Sequence, residues 1–278
     1  LTRRLLIAWP GDAHCQQGVW NWLTLTGLAE HCDFALQINS FLSGENGFPH
    51  KLTNDRINAA DAAHRCMNRD WHPRLPTHAY YDHEPSYTLP NGNKRSWRWT
   101  AWNRPIDAED CRIIQHARQE LEEWQEPYGY GMSLAVYGFP LAIGSHPRPY
   151  DHELDTHRWV ACRQLVKGFG WLYMSLYPPA GVVPPDYMED TSNHERRAAT
   201  NYATACAMWK GQPTVPFLWP RWGMDAAKYG DTYCGALANA GCERLGLWIN
   251  PHSDGMTRVY LQALTDMLPA LRRFVGVN

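Results

Sequence analysis

A chain of 278 residues with a net charge of −2 has room for one large α/β domain or two small ones, and its charge argues against nucleic acid or a membrane surface as partner. No apolar run approaches the ~18 residues that a transmembrane helix needs. The eight cysteines show neither a C-x-x-C pair nor zinc-ligand spacing.

Short β-rich runs alternate with helix-period segments along the whole length. Strands are expected at Arg4–Trp9, Phe34–Ser40, His78–Glu84, Gly131–Phe139, Trp171–Tyr177, Val215–Trp219 and Leu245–Asn250. Helices are expected near Gln16–His31, Thr53–Arg69, Ala108–Trp124, Asp151–Lys167, Asn193–Trp209, Asp225–Ala240 and Thr257–Phe274. Repeated βα units imply parallel strands, and seven or eight of them usually close into a barrel. No linker-like stretch breaks the pattern, so residues 1–278 are read as a single (β/α)-barrel domain, a distorted TIM-like barrel of about seven units. A doubly wound open sheet would carry a Gly-rich phosphate loop after its first strand, and Pro10-Gly11-Asp12-Ala13 is not one.

The predicted strands run into proline turns: Trp9-Pro10, Glu84-Pro85, Phe139-Pro140, Tyr177-Pro178, Trp219-Pro220 and Asn250-Pro251. Proline withholds a ladder donor, so the acidic and aromatic residues before it belong to the C-terminal rim, where barrel enzymes build their sites. Fourteen Trp and fourteen Tyr against seven Phe favour rings with a polar handle, suited to a stacking groove as well as to a core.

The third strand ends in Asp82-His83-Glu84. Residues i and i+2 of a strand share a face, so two carboxylates would enter one small volume and their titrations would be driven apart. A proton-bearing acid beside an anion is what glycosidic cleavage needs, although two solvated acids at a strand end are the plainer reading. His83 would face the helix layer. His78, His83 and Asp82 form no recognisable metal-ligand set, so no metal or other cofactor is expected.

Beyond the acids, Asn93-Lys94-Arg95-Ser96-Trp97-Arg98-Trp99-Thr100-Ala101-Trp102-Asn103-Arg104 interleaves four cations with three indoles. Overhanging the rim, Trp97 and Trp99 could stack on sugars while Arg95 and Arg98 fork to carboxylates, which suits an acidic glycan. The same pattern suits single-stranded nucleic acid, or a β-hairpin whose indoles pack onto the barrel.

These strand ends resemble those of the hyaluronidase-type glycoside hydrolases, with this chain as a distant relative. Asp82-His83-Glu84 matches the family's D-x-E, and Val136-Tyr137-Gly138-Phe139-Pro140 its Y-G-F-P turn. Leu172-Tyr173-Met174-Ser175-Leu176-Tyr177 matches an L-Y-x-S-(I/L)-Y run, and Leu247-Trp248 an L-W strand. The resemblance implies a seven-stranded barrel and substrate-assisted, retaining hydrolysis of a polysaccharide at a β-linked N-acetylhexosamine. Glu84 would be the acid and base, and Asp82 would stabilise the oxazolinium. Tyr137 and Tyr177 would hold the acetamido group, Trp248 would floor the sugar, and Trp219 and Asn250 would line the rim. For the two tyrosines and Trp248, burial as ordinary core aromatics stays open.

The resemblance also implies an extracellular, virion or cell-surface setting, without support from disulfides. The chain opens on Leu1, so a leader is neither indicated nor excluded. Departures from the family are specific. Pro85-Ser86-Tyr87 replaces a further acid and Trp, Asn250-Pro251 stands where a second Trp belongs, and the cysteine partners of both family disulfides are missing. An inactive barrel serving as a carbohydrate-binding or structural module is therefore the alternative. A double-displacement glycosidase would need a second acid at another strand end, and only Glu45 and Asp186, both in loops, are available.

Overall fold

The computed structural model describes residues 2–9, 13–37, 76–82, 86–88, 94–96, 119, 122, 132–137, 168–176, 199–200, 202–203, 206–207, 211–220, 226–249 and 254–277. Seven parallel strands close into a barrel: β1 (Arg4–Trp9), β2 (Cys32–Gln37), β3 (His78–Asp82), β6 (Ser133–Tyr137), β7 (Trp171–Ser175), β8 (Thr214–Leu218) and β9 (Arg244–Trp248). They follow one another around the barrel in chain order, and β1 closes the ring by pairing with β9 as well as with β2. Between β3 and β6 in sequence, β4 (Ser86–Thr88) and β5 (Lys94–Ser96) form an antiparallel hairpin. The basic–aromatic stretch therefore begins as a hairpin strand, while residues 97–104 lie outside the described residues.

Alternation along the strands divides the core into two layers. Leu5, Ile7, Phe34, Ala79, Val136, Leu172, Leu218 and Leu247 pack outwards against the helices. Leu6, Ala8, Ala35, Tyr80, Ala135, Tyr137, Tyr173, Val215, Phe217 and Trp248 form a second buried cluster inside the barrel. That interior is filled by rings: Tyr80 lies 5.5 Å from Tyr173, and Tyr173 lies 4.8 Å from Phe217, centroid to centroid. Gly246 makes room for one of them, because a Cβ at that position would overlap the Phe217 ring.

Helix α1 (Ala13–Leu25) follows β1, α2 (Ala226–Asn239) joins β8 to β9, and α3 (Asp254–Val275) follows β9. α3 packs along α2 and against α1 and β1. The expected single helix Gln16–His31 is shorter and broken. Gly27 takes the left-handed conformation (φ 72°), Leu28 N–H returns to the Leu23 carbonyl at 2.9 Å, and a 3₁₀ turn, Ala29–His31, follows. β2 then starts at Cys32, earlier than expected, because Cys32 pairs with Leu5. The later strands stop short of their proline turns: β3 ends at Asp82 and β7 at Ser175.

Candidate active site

The last residues of the strands define the C-terminal rim. Register sets Asp82, the end of β3, opposite Tyr137, the end of β6. It also sets Ala8 opposite Trp248, the end of β9. Tyr137 is 2% exposed and meets two rings edge-on, Phe217 at 5.8 Å and Trp248 at 5.1 Å. Trp219, just past β8, stacks on Trp248 at 5.8 Å with 23° between the planes. Its indole N–H donates to the Tyr260 hydroxyl on α3 at 2.6 Å. Trp248 is 8% exposed, whereas Trp219 is only partly buried. The upper barrel thus carries a continuous run of aromatic contacts, Phe217–Tyr137–Trp248–Trp219, in which Trp219 is the least buried ring.

The opposite end is closed by charge. Asp33 accepts from Arg4 at 2.8 and 2.9 Å and from Arg244 at 2.8 Å, tying β1, β2 and β9 together. The Arg244 guanidinium lies over the Trp171 ring at 4.8 Å, and His78 meets the same ring edge-on at 5.0 Å. The His78 Nδ1 is 2.9 Å from the Thr77 hydroxyl. Burial, assisted by the Arg244 charge, lowers the His78 pKa to about 4, so the ring is neutral near pH 7. Burial pushes the Tyr173 hydroxyl well above its usual range, and among the described residues none hydrogen-bonds to it. Ion pairs and stacked rings thus occupy this end of the barrel.

Of the residues singled out from sequence, Tyr137, Trp248 and Trp219 come together on one wall. Asp82 is placed beside them by its backbone, and Arg95 lies in the hairpin strand β5. Glu84, Tyr177, Trp97, Arg98, Trp99 and Asn250 lie outside the described residues, as do His83, Glu45 and Asp186. Sequence reasoning missed Tyr260 and the Arg4–Asp33–Arg244 base. Strand parity could have found the base, since Arg4 and Arg244 share the alternation of Leu6 and Gly246. Nothing local points to Tyr260, which is 41 residues from Trp219.

Among the described residues, no group of three or more His, Cys, Asp or Glu is placed to hold a metal ion. Cys32, Cys206, Cys234 and Cys242 are free thiols, and burial pushes Cys234 and Cys242 up to about 12. No described helix is long and apolar enough to cross a membrane.

No protein-family profile matches the chain, and no curated protein sequence does. Its fold is nevertheless shared with known enzymes. Bee venom hyaluronidase in complex with a hyaluronic acid tetramer superposes with a TM-score of 0.59 at 11% identity, covering 98% of this chain and 99% of the other. A monoclinic crystal structure of bee venom hyaluronidase gives 0.57 at 10% identity, over 98% and 100% of the two chains. A broad-specificity GH5-4 endoglucanase from an uncultured bacterium gives 0.52 at 11% identity, over 93% and 84%. The likeness is one of fold: a distant TIM-like barrel shared across glycoside hydrolases.

Proposed function

We propose that the chain is a glycoside hydrolase that cleaves a polysaccharide at β-linked N-acetylhexosamine by a substrate-assisted, retaining mechanism. The observation that carries this reading is the register of Asp82 beside Tyr137 at the C-terminal rim, next to the Trp248–Trp219 pair. It brings the D-x-E strand, the Y-G-F-P strand and the L-W strand to one end of one barrel, the end that hosts catalysis in this architecture.

In the proposed reaction Glu84 gives its proton to the glycosidic oxygen as the bond to C1 breaks. The substrate's acetamido oxygen attacks C1 and forms an oxazolinium, whose positive charge Asp82 stabilises. Water then opens this ring at C1 while the Glu84 carboxylate takes its proton, and the product keeps the β configuration. Tyr137 and Tyr177 hold the acetamido group for attack. Repulsion from ionised Asp82 keeps Glu84 protonated towards the working pH. Arg95, Arg98, Trp97 and Trp99, on or beyond the hairpin, supply the charge and stacking that an acidic glycan would meet.

The test is cleavage of hyaluronan, chondroitin and chitin oligomers by wild type and Glu84→Gln, with product anomers followed by NMR. We expect β-configured products from wild type and a loss of at least about 10³-fold in the variant. A folded wild type that binds one of these polymers and cuts none would make the barrel a carbohydrate-binding module instead.

A further inference from the structure

At the N-terminal end of the barrel, three side chains from three strands carry polar atoms that meet no acceptor among the described residues. Arg244, at the start of β9, gives Nη1 to Asp33 at 2.8 Å, while its Nε and Nη2 donate to none of them. Tyr173 on β7 is fully buried, and its hydroxyl has no partner there. His78 on β3 is 3% exposed, and only its Nδ1 is engaged, 2.9 Å from the Thr77 hydroxyl. With that hydroxyl donating to Nδ1, the neutral ring carries its proton on Nε2. The three side chains share one neighbourhood. The Arg244 guanidinium lies over the Trp171 ring at 4.8 Å, His78 meets that ring edge-on at 5.0 Å, and the His78 and Tyr173 rings are 6.4 Å apart.

Charge here is unbalanced. Arg4 and Arg244 share the single carboxylate of Asp33, and Arg4 is spent on it and on the Glu30 and Cys32 carbonyls. The Glu30 charge acts on Arg4. After burial, the charges acting on both His78 and Tyr173 are Arg244 first and Asp33 second, which makes the potential around the two rings positive. Buried donors without acceptors in a positive potential are the features of an anion site. The Arg244 side chain is 31% exposed, so its fork is reachable from solvent, and stacking on Trp171 fixes the plane of that fork in advance.

We propose that this end of the barrel binds a small oxyanion, a carboxylate or phosphate group, forked to Arg244 Nε and Nη2 with the Tyr173 hydroxyl and His78 Nε2 as further donors. A fork favours two oxygens of one group over a spherical halide. The site lies at the end opposite Asp82 and Tyr137, so it stands independently of the glycosidase reading.

The experiment follows the His78 ring by NMR, its signals identified by their loss in His78→Gln. Inorganic phosphate and acetate are titrated separately into the protein at pH 7 in Tris chloride at constant ionic strength, which tells a tetrahedral from a planar oxyanion. We expect a saturable shift with at least one of them and none with added chloride. The bound oxyanion should also move the His78 titration up from about 4. Arg244→Lys keeps the charge and loses the fork, and should weaken binding about 10-fold or more. Tyr173→Phe removes one hydroxyl and should weaken it roughly 3- to 10-fold. A shift that never saturates, or that chloride reproduces, overturns the proposal as a general salt effect. Saturable binding that neither variant weakens overturns it too, because the ion then sits elsewhere. If Arg244→Lys fails to fold, unchanged binding by Tyr173→Phe still overturns the site.

Discussion

His78 sits where burial and the Arg244 charge both oppose protonation, which gives the protein a defined acid sensitivity. Its folded pKa of about 4 lies below the 6.5 of an exposed histidine, so between these values the unfolded chain binds more protons. The contribution of His78 is therefore fully present above about pH 6.5 and lost as the pH falls towards 4. Urea unfolding at pH 7 and pH 5 should show about 1 to 2 kcal/mol more acid destabilisation in wild type than in His78→Gln. Equal acid slopes in the two proteins would exclude His78 as the source. Tyr173 makes the complementary case. Its buried hydroxyl gains no hydrogen bond from the described residues, so Tyr173→Phe should raise stability by about 0.5 to 1 kcal/mol, read as a higher urea midpoint at unchanged slope. At this scale the sequence was informative about strand ends and silent about partners. The neighbouring positions of Asp82 and Tyr137 could be read because each closes a strand. The acceptor for Trp219 could not, because a hydrogen bond across 41 residues leaves no local pattern.

At the scale of elements, the seven strands were legible because β-branched and aromatic runs recur between helix-period segments. Their limits were less so. β2 begins two residues early because its pairing with β1 starts at Cys32, and the helix after β1 ends early because Gly27 adopts a positive φ. Neither a tertiary pairing nor one glycine's conformation is written in hydrophobic period. The Arg4–Asp33–Arg244 base is a different case. Strand parity puts these side chains on the inner face, but only the barrel's closure makes them converge on one carboxylate whose side chain is 16% exposed. Both arginines keep about a third of their exposure, so water screens part of the attraction. Asp33→Asn should accordingly cost about 1 to 2 kcal/mol rather than the larger penalty of a fully buried pair, measured by urea unfolding near neutral pH. A cost within error of zero would mean that the three side chains merely sit together.

For the whole molecule, the two ends of the barrel differ in kind: the base is ion-paired and plugged by Trp171, and the rim is aromatic. This division predicts separable phenotypes. Asp33→Asn should lower the melting temperature while leaving oligosaccharide affinity unchanged. Under the glycosidase proposal, Glu84→Gln should abolish turnover with the melting temperature unchanged. Loss of affinity in the Asp33 variant would show that base and rim are coupled.

The pairing of β1 with β9 has a further meaning for how the chain is made. Leu5 must find Leu245, and Ala8 must find Trp248, across nearly the whole length of the polypeptide. Until the last strand has left the ribosome, β1 holds β2 on one side and presents an unpaired row of N–H and C=O groups on the other. Closure is then a single late event that seals the ring and covers that edge, so folding should be slow and most prone to aggregation just before it completes.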